Sequence, residues 1–171
     1  MRKYLSEKCE NMLNEILGAL FQMNSITDNM SYALDCELNC PITAKIFHLK
    51  YAHAFPSDQF ADKLSDTMIK NNLRPVRKGL VEDIKLYNNI NELFHENMTE
   101  IDKLKNLIAN SIYELDCDIE NKAIVILLEE ILSDLMTYYK QADIWVTKAE
   151  EYFANNNTRQ FDIHFEHFTF L

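Results

Sequence analysis

Glycine is almost missing from this chain: positions 18 and 79 hold the only two in 171 residues, and proline stands only at 41, 56 and 75. A glycine-rich phosphate cradle is therefore excluded, because it needs several glycines within one loop. Long apolar runs are missing too. The longest, Ala123 to Leu128, is far too short to cross a bilayer. Arg2 and Lys3 are followed by apolar positions broken by Glu7, Lys8, Glu10, Asn14 and Glu15, so the continuous core of a secretory signal is absent. The expectation is a soluble, cytoplasmic protein. Cysteine is limited to Cys9, Cys36, Cys40 and Cys117, and Cys9 lies on a helical stripe, so reduced thiols are expected rather than disulfides. Positive charge is scarce as well, with 17 Lys and Arg against 27 Asp and Glu. The imbalance lies wholly in residues 81–171, which hold seven basic and eighteen acidic residues; residues 1–80 hold ten and nine. Such a surface repels nucleic-acid backbones and suits basic partners or cations.

What the chain does have is apolar residues returning every three or four positions, the signature of long helices packed side by side. Leu5, Cys9, Met12, Ile16, Ala19, Met23, Ile26, Met30 and Ala33 step by four and three, with Leu13, Leu17 and Leu20 widening the stripe. This predicts a helix from Lys3 to about Leu34, roughly 45 Å long. Cys36 to Cys40 forms a turn, and Pro41 suits the first position of the next helix. Its stripe, Ile42, Ile46, Leu49, His53, Phe60, Leu64 and Met68, keeps phase across Pro56. One helix kinked at that proline and running to about Asn72 is expected, with two separate helices as the alternative. Leu80, Ile84, Tyr87 and Ile90 suggest a short connecting helix. Ile101 to Leu115 marks the third long helix and Ile119 to Ala154 the fourth, with the Ala123–Leu128 run at its centre.

After Asn155, Asn156 and Asn157 the pattern changes. Phe161, Ile163 and Phe165 alternate with Asp162, His164 and Glu166, which is strand periodicity. The expected fold is all-α: four long helices in a bundle over residues 1–154, with a strand-like aromatic tail over 155–171. A tail carrying Phe161, Ile163, Phe165, Phe168 and Phe170 must fold onto its own bundle or meet a partner.

Four constellations carry chemistry. Cys36, Cys40, His48 and His53 form a C-x3-C-x7-H-x4-H string with the donor types of a zinc site. On a continuous helix, however, His48 and His53 project about 140° apart. Asp58, Asp62 and Asp66 at i, i+4 and i+8 form a carboxylate ladder on one helical face, repulsive unless a cation or basic partner relieves it. Glu92 and His95 form one Glu-x-x-His pair, the motif that di-iron bundles use twice, and Glu15, Glu129 and Glu130 could add carboxylates from other helices. Arg74, Arg77 and Lys78 flank Pro75 as the one basic cluster, suited to an acidic protein surface such as the second half of another subunit.

With four long helices and a long connection between the second and third, the chain resembles the ferritin-like superfamily, and within it the mini-ferritins that protect DNA in starved bacteria. Asp62-Lys-Leu-Ser-Asp66-Thr followed by Pro75 is similar to the acidic pattern near the end of their second helix, and Ile144-Trp145 to a pair near the end of their last. Asp66 stands where that family has glutamate, and Thr67 where it has arginine. The resemblance implies iron as the bound metal, with Asp58, Asp62, Asp66, Glu92 and His95 as its ligands. The sequence as a whole favours a non-catalytic binding protein acting through self-association or capture of a basic partner, using the tail and the basic cluster. A ferritin-like iron protein is the alternative, and an acidic inhibitor imitating nucleic acid comes third.

Overall fold

The computed structural model describes residues 4–82 and 84–171, and its regular structure is helical, with no strand among the described residues. Helix α1 spans Glu7–Cys36. Ser6 starts it: its hydroxyl accepts the Cys9 N–H at 3.2 Å, and Glu7 and Glu10 place negative charge in the first turn. Asn39, at φ 53°, makes the left-handed turn that ends this element, and Pro41 opens α2 (Pro41–Lys50).

The single kinked helix expected over 41–72 does not form. Helix α2 stops at Lys50, a 3-10 turn covers Ala52–Ala54, and α3 runs over Ala61–Lys70. Pro56 cannot donate a backbone hydrogen bond, and around it the chain switches to tight i to i+3 bonds, Ala54 to Tyr51, Ser57 to Ala54 and Phe60 to Ser57. Apolar phase survives the break because the break itself is buried. Tyr51, Phe55 and Phe60 are all inaccessible to solvent, and Phe60 meets Tyr138 edge-on at 5.4 Å.

The short helix expected near residues 80–90 is also absent from the described residues. Residues 73–82 carry no regular structure, and α4 begins at Ile90 and ends at Leu115, taking in residues assigned from sequence to the connection. Arg74 lies beside Glu10, and Val81 beside Gln22. Seven residues of crossover thus run beside the twelve-residue rise from Glu10 to Gln22, about 18 Å of helix or roughly 2.6 Å per residue, more drawn out than a helix and less than a strand.

A 3-10 turn over Ile119–Asn121 leads into α5 (Lys122–Ala154). Within the Ala123–Leu128 run, Ile124, Val125, Leu127 and Leu128 are buried, while Ala123 and Ile126 face solvent. Contacts fix the helix directions. His48 meets Asp28, Glu114 meets Lys8, Glu150 meets His95 and Glu130 meets Lys63. Helices α1 and α5 therefore point one way, and α2, α3 and α4 the other.

The strand expected in the tail is replaced by α6 (Thr158–His164) and a 3-10 turn over Phe165–Phe168. Phe161, Phe165 and Phe168 also stand at i, i+4 and i+7, and that helical spacing wins because it buries all three rings in the same core as Trp145. Trp145 stacks on Phe165 at 5.2 Å and donates its indole N–H to the Thr169 hydroxyl. Asp162, between the aromatics, is buried because its carboxylate accepts the Thr43 N–H at 2.7 Å, capping the first turn of α2. No helix among the described residues is long and apolar enough to cross a membrane.

Candidate metal centre

The break between α2 and α3 gathers side chains that the sequence separates. Asn24 and Asp28, one turn apart on α1, face the antiparallel α2, which brings His48 opposite Asp28. Were α2 to continue, His53 would point elsewhere. Because it stops at Lys50 and tightens into the 3-10 turn, the His53 ring folds back over His48, with centroids 4.1 Å apart at an interplanar angle of 61°. One donor atom each from Asp28, His48 and His53 lies within 4.8 Å of the others. A tetrahedral ion with bonds of about 2.1 Å holds its donors about 3.4 Å apart, so the three donors would have to close further to share one ion.

Asp28 is held in an unusual state. Its Oδ1 lies 3.0 Å from His48 Nδ1. Nevertheless that oxygen is buried with no hydrogen aligned on it. The Ser31 hydroxyl, 3.5 Å away, also contacts His48 Nδ1. Asp28 Oδ2 is the oriented side of the carboxylate, accepting from the Asn24 amide at 3.4 Å, and the same amide donates to the Ala52 carbonyl at 2.9 Å. Asn24 therefore ties the 3-10 turn to α1 and fixes Asp28, the task of an outer partner that positions a ligand. Two imidazoles and one carboxylate suit zinc, iron(II) and related divalent ions, and three protein donors leave coordination positions open. Asp28 and His48 are partly buried and His53 is exposed, so solvent reaches one side of the cluster.

The two cysteines of the string do not join it. Cys36 is exposed, while Cys40 is buried and donates its thiol to the Leu38 carbonyl. Burial, with a smaller contribution from the Asp162 charge, pushes the Cys40 thiol up to about 12, and burial alone pushes Cys9 up to about 11. Neither supplies a thiolate at neutral pH.

The remaining acidic candidates stay apart. Asp58 falls in the turn before α3, and Asp62 and Asp66 lie on the exposed face of that helix. Lys63 reaches across to Glu130 at 3.1 Å. Glu92 closes the start of α4: its N–H is accepted by Asn89, and its carboxylate accepts from the backbone and side-chain amides of Asn88. His95 turns away to Glu150 on α5, at 2.7 Å. Glu15 and Glu129 are exposed. Of the tail residues, Phe161, Phe165 and Phe168 are buried, and Ile163 and Phe170 reach solvent. Arg74, Arg77 and Lys78 are exposed on the crossover, Arg77 with its guanidinium 4.2 Å over the Phe21 ring.

Sequence reasoning missed Asp28 and Asn24. Nothing in local spacing links them to His48, since the link exists only once α1 and α2 lie antiparallel. No known protein family matches the chain, and no curated protein is similar to it.

Proposed function

We propose that this is a metal-binding helical-bundle protein whose cation is held by Asp28, His48 and His53. The observation that carries the reading is the buried Asp28 Oδ1, 3.0 Å from an imidazole nitrogen yet without a hydrogen bond. A buried carboxylate oxygen left in that state loses about 1–3 kcal/mol or more, and a divalent ion relieves it. Ferritin-like bundles also carry one long crossover, and the proposal keeps that resemblance as its reason to include iron. Iron is thus one suitable ion, but the residues that fit it are not those taken from that resemblance, because Asp58, Asp62, Asp66, Glu92 and His95 do not converge. A bound ion would also staple the 3-10 turn to α1.

The test is competition against a chromophoric chelator, with Zn2+ and, under anaerobic conditions, Fe2+. The wild-type chain is expected to take one equivalent. Asp28→Ala and His48→Ala each lower affinity by tenfold or more, while Asp62→Asn and Glu92→Gln leave it unchanged. Affinity falls as the solution is acidified, because protons compete with the ion for its imidazole and carboxylate donors. Failure to bind either ion, or unchanged binding in both α1 and α2 variants, overturns the assignment. A second reading, contact with a protein partner, is favoured by the exposed apolar and basic residues of the crossover.

A further inference from the structure

Helix α2 is packed on one side and apolar on the other. Thr43, Ala44 and Phe47 are buried, and His48 meets Asp28 on α1. On the outer side Ile42 and Leu49 are exposed, and Ile46 between them is half-buried. By helical geometry these three side chains fall within about 60° of one another, with Lys45 about 40° beyond one border of the stripe and Lys50 about 40° beyond the other. Glu166, on the 3-10 turn after α6, also borders the stripe, and the groove lined by these residues measures about 480 Å³.

Spacing and charge together describe what fits this groove. Ile42, Ile46 and Leu49 step by four and then three, the order in which a helix offers its d, a and d positions to a second helix, and Lys45 and Lys50 then occupy the flanking g and e positions. Neither lysine has an ion-pair partner among the described residues. Two ammonium groups against the single carboxylate of Glu166 leave the rim net positive.

We infer that the outer face of α2 docks an amphipathic helix of another protein, one that carries an apolar stripe flanked by aspartate or glutamate. The apolar residues of that helix seat between Ile42, Ile46 and Leu49, and its carboxylates meet Lys45 and Lys50. A second copy of α2 does not satisfy the same face. Antiparallel packing sets Lys45 against Lys45 of the partner subunit and Lys50 against the partner's Lys50, and parallel packing sets Lys45 against the partner's Lys50, so both orientations bring like charges together. An anionic bilayer is disfavoured by the net charge of −10 and by the carboxylate on the rim, and a groove receives a ridge rather than a plane. The stripe is only about one heptad long, so the contact is of the weak, reversible kind. It does not depend on the metal centre, which lies on the α1 side of α2.

Fluorescence anisotropy with the full chain, in EDTA to remove metal, tests it. The probes are two labelled two-heptad peptides with leucine at a and d, one with glutamate at e and g and the other with lysine there. The acidic peptide is expected to bind at least tenfold more tightly than the basic one. Leu49→Asp, at an exposed position, abolishes binding of the acidic peptide. Lys45→Glu combined with Lys50→Glu reverses the preference, a result that a misfolded variant cannot give. Absence of binding by the acidic peptide overturns the proposal, as does binding indifferent to Leu49→Asp or a preference that the double substitution leaves unreversed. Light scattering and flotation with phosphatidylserine vesicles test the other occupants: a wild-type dimer, or vesicle binding, that Leu49→Asp disrupts assigns the face to a second copy or to a membrane and also overturns it.

Discussion

The two halves of this protein use charge in opposite ways. Residues 81–171 carry all the net acidity, and their charges lie along the outside of the α4–α5 hairpin in pairs: His95 with Glu150, Lys105 with Asp102, Lys148 with Glu151. Hydrogen bonding from Lys105, reinforced by its charge, holds the exposed Asp102 carboxyl below the usual range. Residues 1–80 are nearly neutral, yet their polar groups turn inward. Glu10, Asn14 and Gln22 clasp the crossover, and Asn24, Asp28 and the two histidines meet at the broken helix. Acidity in the second half therefore marks a solvated surface, whereas the candidate site lies where few charges converge. Convergence, and not abundance, defines a metal centre, because exposed pairs in water contribute little while a half-buried carboxylate needs a partner.

The sharpest way to break this comparison is to ask whether the second half is the scaffold it appears from its packing. Phe161 is inaccessible to solvent and meets Phe94, Tyr152, Phe165 and Phe168 at ring distances of 5.5 to 5.9 Å. Phe161→Ala is expected to lower stability by about 3–5 kcal/mol in urea unfolding. The half-exposed neighbour Ile163→Ala should change it by only about 0.5 kcal/mol. Metal affinity of the folded fraction should be unchanged. Similar costs at both positions would mean that the tail is not seated as described.

A smaller effect tests the inward polarity of the first half. Asn14→Ala leaves the Arg74 carbonyl and the Val76 N–H without their partners, and the expected loss is about 1–3 kcal/mol. Most of that should appear locally, as faster tryptic cleavage at Arg77 and Lys78 than in the wild type. Unchanged cleavage would show that the crossover is held by something other than the side-chain clasp.

These polar devices were the least legible part of the sequence. Helical periodicity in α1, α4 and α5 was plain because each buries one continuous stripe. The all-helical class followed from it, together with the near absence of glycine. The tail was ambiguous because Phe161, Phe165 and Phe168 fit a helix while Phe161, Ile163 and Phe165 fit a strand; only packing against Trp145 decides between them. The second bundle position was misread because burial of Tyr51, Phe55 and Phe60 preserves apolar phase even where the backbone leaves the helix. The same misreading placed His48 and His53 on different faces. Asn14, Gln22, Asn24 and Asp28 carry no local signal, since their partners are backbone groups and rings distant in sequence.

The smallest expected effect sharpens the comparison from the acidic side. Glu150 pairs with His95 at 2.7 Å, a shorter contact than the 3.0 Å between Asp28 and His48, and distance alone would rank it as the stronger site. Exposure reverses that ranking: both side chains of the Glu150 pair are about half accessible, so water and salt screen the attraction and solvate either partner when the other is removed. Glu150→Gln is therefore expected to change stability by about 0.5 kcal/mol or less and to leave zinc affinity where it was. The equivalent neutralisation Asp28→Asn retains the side chain's shape but removes the charge from a half-buried carboxylate, and it should lower zinc affinity by tenfold or more. If the two substitutions have equal effects on metal binding, the acidic second half takes part in holding the ion and the division between the halves fails.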